Sequence, residues 1–142
     1  MRKVTFQVKC AESDYISPYI SIAYPDEDIQ NMQDAEDVVI PEECITIVIN
    51  YPLLRPAEFQ ASSNTGFTRA DIAKKIAELY HQVYCEEDAT KSSDQGRLTS
   101  LGSANRGISD GKYGIALHDI EDLLLHTVRK CRDGKYYCLV DS

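Results

Sequence analysis

The chain has 142 residues, of which 43% are hydrophobic and 27% are charged, and its formal net charge is -8. These values are close to globular averages and exclude a globally disordered chain. A chain of this length buries about two thirds of its unfolded surface, so we expect one domain over residues 1–142. No apolar run approaches the ~18 residues that span a bilayer, so we expect no membrane association, and no signal peptide is recognisable after Met1.

The cysteines indicate a reducing compartment. They are odd in number and irregularly spaced, which makes a poor disulfide framework, and the absence of a C-x-x-C pair argues against a structural zinc site. We therefore interpret them as small apolar residues of an intracellular protein. They are Cys10, Cys44, Cys85, Cys131 and Cys138.

Acidic residues are concentrated in the first half of the chain. Between Lys9 and Arg55 the sequence contains no Lys or Arg, and it contains ten acids. Either these acids form a patch that meets a basic partner, or they are solvated loop residues that keep the protein soluble. Both interpretations argue against direct nucleic-acid binding, which needs a positive field.

Strand patterns dominate the first third of the chain. Residues 4–10 alternate between apolar and polar side chains, and residues 19–24 form a second candidate strand between two prolines. A single helical turn is predicted around Ile29 and Met32. Residues 44–51 are rich in β-branched side chains and predict a central strand that is covered on both faces.

The clearest helix signal begins at Thr68. Thr68 and Asp71 have the spacing of a capping box, and Phe67 and Ile72 have that of a hydrophobic staple. We expect the helix to end near residues 86–88, because acids oppose the dipole at a helix C-terminus. The predicted core combines its apolar face with two strands: Ile47, Ile49, Ile72, Ile76, Leu79, Val83 and Leu139.

The last third predicts an insertion, a short helix and a hairpin. Residues 89–112 are rich in Ser and Gly, which predicts a flexible insertion. The apolar spacing over 117–124 predicts a short helix, and Asp133-Gly134 predicts a hairpin between 125–131 and 135–140. The expected fold is α+β, with a mainly antiparallel sheet, one long and one short helix, and a C-terminal hairpin.

Few residues indicate chemistry. His81 and Cys85 lie one helical turn apart, but without further paired ligands we predict no metal site. Phosphate-binding glycine fingerprints are missing, so no cofactor is predicted. His118 and Asp119 open a polar cluster after a glycine-flanked turn and are the catalytic candidates, although Asp119 also suits a helix start.

The second half resembles a family of uncharacterised proteins from large DNA viruses and from some protists and algae. The shared order is Tyr51-Pro52-Leu53, Gly66-Phe67-Thr68-Arg69, Tyr84 with Glu86-Glu87, Gly114-Ile115, His118 to Leu123, Asp133-Gly134 and Asp141-Ser142. The resemblance covers residues 51–142 and implies a viral or protist origin, but no activity. It also implies that the long loop is an elaboration of this sequence, and it places the protein in the cytoplasm or nucleus of a host cell, or in a virion.

Three functional hypotheses follow. The first is a non-enzymatic protein-interaction or structural module with an unidentified protein partner. The second is a small hydrolase or transferase that uses His118 with a neighbouring acid. The third is an acidic accessory factor that docks a basic nucleic-acid-binding protein.

In the expected site, two polar helix starts lie close together and offer backbone amides to an anion or carboxylate. Its residues are Phe67, Thr68, Arg69, His118 and Asp122.

Overall fold

A mixed sheet and one long helix organise the chain. The computed structural model describes residues 2–10, 12–92 and 107–142. The helices are α1 (Asp26–Gln30), α2 (Arg69–Thr90) and a 3-10 helix (Ile120–Asp122). The strands are β1 (Lys3–Thr5), β2 (Val8–Lys9), β3 (Ile16–Ser17), β4 (Ile20–Ser21), β5 (Val38–Ile40), β6 (Cys44–Ile49), β7 (Ala57–Ser62), β8 (Phe67–Thr68), β9 (Leu124–Lys130) and β10 (Tyr136–Asp141).

The main sheet has the order β1-β9-β10-β6-β7. Strands β1 and β4 pair with the same edge of β9, β1 at residues 127–129 and β4 at residues 124–125. Every pair in it is antiparallel except β10 with β6. β2 pairs with β3, and β5 pairs with β8. The predicted α+β class and the predicted C-terminal hairpin are therefore confirmed.

The apolar side of helix α2 packs against the inner face of the sheet, and the two together form one core. Ile72, Ile76 and Val83 are fully buried, and they share the core with Ile47 and Ile49 of β6. Leu79 is also buried, as predicted. Burial of this many aliphatic side chains, each stabilising by about 1.5–3 kcal/mol, fixes the helix against the sheet.

The prediction that Leu139 belongs to the buried core is wrong. It is only half-buried, whereas its neighbour Cys138 is 3% exposed. Side chains alternate between the two faces of a strand, so Leu139 lies on the face opposite to α2. Its partner there is Thr127 of β9.

The predicted helical turn near Ile29 corresponds to α1, but the predicted helix over 117–124 is wrong. Only Ile120–Asp122 form a 3-10 helix, and β9 begins at Leu124. The strand predicted over 125–131 begins one residue earlier, at Leu124, and Leu123 and Leu125 are both buried at the spacing of a strand. Pairing of β9 with β10, β1 and β4 settles the strand.

Helix α2 is longer than predicted, and it shortens the proposed insertion. The helix continues to Thr90, past the acids at 86–88. At the other side of the insertion, Ser109, Gly111 and Tyr113 are buried. The remainder of the predicted insertion, 93–106, lies outside the described residues.

Candidate functional site

Glu87, on the last turn of α2, positions the loop that follows the insertion. The side chain is fully buried, and its carboxylate accepts four hydrogen bonds. The donors are the Ser109 hydroxyl (2.5 Å) and the amides of Gly111 (2.8 Å), Tyr113 (2.8 Å) and Gly114 (3.2 Å). A buried carboxylate is costly unless it is hydrogen-bonded, so these donors tie the 107–118 loop to the helix.

The pKa of Glu87 reflects this balance. Burial raises the pKa, but the hydrogen bonds from Ser109, Tyr113, Gly111 and Gly114 outweigh it and hold the pKa below the usual 4.5. The carboxylate is therefore ionised at neutral pH, and it accepts from all four donors in this form. A Cβ at Gly111 would lie 2.6 Å from the Glu87 carboxyl carbon, so the close approach requires glycine there.

Arg55 holds the 107–118 loop from a second direction. Its Nε donates to the Lys112 carbonyl (2.9 Å), and its Nη2 donates to the Gly111 carbonyl (2.5 Å). The Tyr113 hydroxyl donates to Glu86. The loop is thus fixed both by α2 and by the residues that precede β7.

Three extended segments lie side by side in this region. Leu53 pairs with Ile115, and Ile108 pairs with Ala116, both antiparallel. The amides of Leu54 and Ala116 donate to the carbonyls of Gly114 (2.8 Å) and Pro52 (2.9 Å), respectively. Segments 52–54, 114–117 and 107–109 therefore form a small, hydrogen-bonded ribbon.

The ribbon carries three exposed aliphatic side chains. Leu53 and Ile115 point inward and are buried. Leu54, Ile108 and Leu117 remain 56%, 50% and 53% exposed, respectively. Single exposed leucines are ordinary, but three exposed on one ordered ribbon are not, and groups of exposed apolar side chains mark interaction sites. We call Leu54, Ile108 and Leu117 the apolar patch.

Leu117 carries backbone strain in addition to its exposure. Its φ is +69°, in the left-handed region that leucine rarely adopts. Its amide donates to the Gly107 carbonyl (3.2 Å), so the ribbon holds it there. The left-handed backbone costs about 1–2 kcal/mol at this residue. Such a cost is typical of functional sites, and here it keeps an apolar side chain half exposed.

His118 borders the apolar patch. Its Nε2 lies 3.1 Å from Ser142 Oγ, and its Nδ1 lies 3.7 Å from Asp122 Oδ2. Tyr51 contacts the His118 ring at 6.0 Å between centroids, and its hydroxyl lies 2.7 Å from Ser142 Oγ. We call the combined region the His118 surface, defined by Tyr51, Leu54, Ile108, Leu117, His118 and Ser142.

Acidic residues are neighbours of His118 and Ser142 in the chain, although the Asp141 carboxylate accepts from the Tyr19 hydroxyl (2.9 Å) and lies 3.5 Å from His126 Nε2. Asp119, Glu121 and Asp122 follow His118 and are exposed, and exposed Asp141 precedes Ser142. Asp119 and Asp122 also form a capping box on the 3-10 helix, in which the Asp119 amide donates to Asp122 Oδ2 (3.1 Å). These two predicted site residues therefore have a structural role as well as a charge.

The predicted residues at the start of α2 also have structural roles. Phe67 is buried, and Thr68 and Asp71 form the predicted capping box. The Arg69 side chain donates to the carbonyls of Thr5 (2.9 Å) and Asp34 (2.8 Å). It ties the helix start to β1 and to the turn after α1.

The backbone amides at this helix start already have partners. The amides of Arg69 and Ala70 donate to the carbonyls of Asp37 (2.9 Å) and Ala35 (3.0 Å), and the Asp71 amide donates to Thr68 Oγ1 (3.0 Å). Few orphan donors therefore remain for an external anion.

The structure does not bring Arg69 and His118 together. The His118 carbonyl accepts a hydrogen bond from the Tyr84 hydroxyl (3.0 Å), whereas Arg69 contacts β1. Tyr84 lies 15 residues after Arg69 on α2, or about 22 Å along the helix axis. His118 thus lies near the far end of the helix, and the two helix starts do not share one face.

The sequence singles out His118 but not the residues that build its surroundings. It predicts that Glu87 helps to end the helix, whereas the buried Glu87 accepts from donors more than 20 residues away. Leu54 and Ile108 lie on two segments of the ribbon that only the fold joins. The one sequence signal was the cluster of isolated apolar residues in and beside a Ser- and Gly-rich segment.

Comparison with known protein families, with curated proteins and with solved structures gives no match. Within the described residues, no group of His, Cys, Asp and Glu side chains is arranged to hold a metal ion. In the same part of the chain, no helix is both long enough and apolar enough to cross a membrane. The function is therefore inferred from the geometry of the chain itself.

Proposed function

We propose that this chain is a protein-interaction module whose His118 surface binds an apolar patch, rimmed by basic residues, on a partner protein. The supporting observation is the ribbon that holds Leu54, Ile108 and Leu117 half exposed above a buried carboxylate. A loop without a function rarely combines a rigid base with an exposed apolar side and a strained leucine.

The charge around the surface supports the chemistry of the partner. Asp119, Glu121 and Asp122 are exposed, and they directly follow His118 at one border of the surface. An apolar centre with a charged rim is the common anatomy of a protein interface, in which rim charges steer the encounter. A partner with lysines or arginines around an apolar residue fits this arrangement, and basic nucleic-acid-binding proteins are one class that carries them.

Five free thiols support a reducing compartment for this interaction. The cytoplasm or nucleus of a host cell is therefore part of the proposal. The viral or protist origin that the resemblance implies is compatible with it.

Affinity capture with matched variants tests the proposal. Ile108→Thr combined with Leu117→Asn removes two apolar side chains while keeping a strand former at the first position and a residue that tolerates positive φ at the second. Val38→Thr is the control, because Val38 is 56% exposed in β5, outside the His118 surface. We expect a partner that the wild type and the control retain and the double variant loses. Equal capture by all three folded proteins would contradict the proposal.

A second candidate function is ester or amide hydrolysis. Ser142, His118 and Asp122 follow one another as nucleophile, base and orienting acid, with the distances given above. His118 Nε2 would take the proton of the Ser142 hydroxyl as its oxygen attacks the carbonyl carbon, and Asp122 would stabilise the imidazolium. The imidazolium would give this proton to the departing alcohol or amine as its bond to the carbonyl carbon breaks, and water would then hydrolyse the acyl-enzyme and restore Ser142. Ser142 and Asp122 are exposed to water, however, whereas strong stabilisation of the oxyanion needs a water-excluded site. Protein binding therefore ranks first.

A fluorophosphonate probe distinguishes the second candidate from the first. Hydrolase chemistry predicts covalent labelling of Ser142 that disappears in His118→Gln. A wild-type protein that stays unlabelled would eliminate this candidate and leave the interaction proposal unaffected.

A further inference from the structure

Strand β7 is an open edge of the main sheet. It is the last strand in the sheet order and pairs with β6 over its whole length, from Cys44 with Ser62 to Ile49 with Ala57. In an antiparallel pair, half of the backbone amides and carbonyls of an edge strand point away from its partner. Within the described part of the chain, no backbone hydrogen bond outside the β6 ladder involves residues 57–62.

The features that usually protect an edge strand are missing from β7. The strand has six residues in unbroken register, with no bulge and no proline inside it. Its one charged residue is Glu58, whose carboxylate is 2.8 Å from Lys135 Nζ. Natural proteins shorten, charge or bend exposed edges to prevent pairing, as β1 does here with three residues and Lys3. The unprotected β7 edge is therefore suited to receive another strand.

Two cavities lie at the two ends of this edge. One, of about 280 Å³, lies between the end of β7 and α2, and its lining includes Ser62 and Phe67 together with the charged Asp71, Lys74, Lys75 and Glu78. The other, of about 330 Å³, lies near the start of β7, and its lining includes Pro56, Phe59 and Tyr113 together with the charged Arg55, Glu58 and Lys112. Together they provide space for side chains beside the open edge.

The cavities favour a foreign strand over a second copy of this chain. The side chains of β7 that point toward α2 are Ala57, Phe59 and Ala61, and they pack into or against the core of their own chain. A second β7 therefore has no side chains to place in the cavities. A single extended segment can place every second side chain there, because side chains alternate along a strand.

We propose that the β7 edge binds an extended segment of a partner protein by strand addition. The segment contributes backbone hydrogen bonds along residues 57–62 and apolar side chains at alternate positions. An aromatic or β-branched side chain fits the cavity beside Phe59 and Tyr113. This site is separate from the His118 surface, so it stands or fails independently of the proposed function.

A displayed library of random 12-residue peptides provides the probe. The wild-type protein should select peptides with alternating apolar residues and no proline. Bound peptide should slow hydrogen exchange of those amides in residues 57–62 that exchange quickly in the free protein. Selected peptides that protect another region, or a failure to select any binder, would overturn the proposal.

A proline variant supplies the matched control. The amides of Gln60 and Ala61 point in opposite directions, so exchange in the free protein identifies which of them faces outward. Proline at the outward-facing one of these two positions leaves the hydrogen bonds between β7 and β6 intact but removes one donor from the open edge. It should weaken peptide binding by about tenfold. The Leu117→Asn variant should bind the same peptides as the wild type. If the folded proline variant keeps full affinity, strand addition is wrong.

Sedimentation of the peptide-free protein tests the alternative occupant. The proposal predicts a monomer at tens of micromolar, roughly the range of weak associations. A dimer that the outward-facing proline variant abolishes would assign the edge to a second copy and overturn the proposal for a foreign strand.

Discussion

At the scale of single residues, Glu87 determines the position of the 107–118 loop. Its carboxylate accepts from Ser109 and from three backbone amides. Glu87→Gln keeps the volume but replaces one acceptor oxygen with a donor, which leaves buried amides unpaired. We expect the free energy of unfolding to fall by about 1–3 kcal/mol in urea denaturation. Glu78→Gln, at an exposed position of the same helix, should change it by less than about 0.5 kcal/mol.

The same variant has a predictable pH dependence. The pKa of folded Glu87 is lower than the usual 4.5, so the ionised form stabilises the folded state. This contribution is present above about pH 4.5 and is lost as the pH falls through the lowered pKa. The stability difference between the wild type and Glu87→Gln should therefore shrink in acid. A difference that stays constant from neutral pH to the acid range would show that the charge is not responsible.

Leu117 provides a second test at this scale. Asparagine tolerates positive φ, so Leu117→Asn should change the free energy of unfolding by less than about 1 kcal/mol, despite the loss of an aliphatic side chain. Leu117→Val keeps the apolar character but is β-branched, and it should lose about 1 kcal/mol or more. Thermal or urea unfolding separates the two. The reverse order would mean that the leucine contributes to packing and is not held for display.

At the scale of elements, α2 shows what local patterns can predict. Its start follows from the capping box of Thr68 and Asp71 and from the apolar spacing that begins at Ile72, and the structure confirms both. Its end does not follow from the sequence. The acids expected to end the helix include Glu87, whose negative charge is stabilised by hydrogen bonds from the 107–118 loop.

Residues 117–124 show the opposite case. They have helical spacing, but only Ile120–Asp122 form a 3-10 helix, and Leu124 begins β9. Leu124 pairs with Asp141 of β10 and with Ser21 of β4, which are distant in sequence. This tertiary pairing overrides the helical spacing at the end of the segment.

Thr68 is a predicted site residue that also caps α2, and a substitution there distinguishes the structural role from a functional one. The Thr68 hydroxyl accepts from the Asp71 amide at 3.0 Å. Thr68→Ala should lower the free energy of unfolding by about 1 kcal/mol and leave partner binding unchanged. Loss of partner capture by a Thr68→Ala protein that remains folded would restore the helix start as a binding site.

At the scale of the whole molecule, two carboxylates connect distant parts of the chain. Glu42 accepts from Lys130 Nζ (2.7 Å) and Arg2 Nη1 (2.5 Å), which joins the N-terminus to the hairpin. Burial raises the pKa of Glu42, but hydrogen bonds from Lys130, Tyr136 and Arg2 lower it to about 2. Glu42 and Glu87 therefore both stabilise the fold above their ordinary pKa and lose this effect as the pH falls.

This linkage predicts the acid unfolding of the protein. The thermal midpoint should fall as the pH is lowered from 4.5 toward 2, because these two carboxyl groups bind protons more readily in the unfolded chain than in the folded protein. In Glu42→Gln combined with Glu87→Gln, the midpoint should start lower and depend less on pH. A double variant with the wild-type slope would assign acid unfolding to other groups.

The candidate site itself arises only at this scale. His118 and its acidic neighbours are visible in the sequence, but the apolar centre joins Leu54 with Ile108 and Leu117 across more than 50 residues of chain. Arg69, predicted to share the site, instead ties α2 to β1. Local motifs thus located one border of the surface, and its centre required the fold.

Site-specific photocrosslinking shows whether the His118 surface contacts a partner protein. A photoreactive amino acid replaces Leu117 in one protein and Val38 in another, and both are irradiated in intact cells. We expect one dominant crosslinked protein from position 117 that is missing from position 38, and a crosslinked peptide rich in apolar and basic residues. The same crosslinked species from both positions, or none from position 117 in a folded protein, would contradict it.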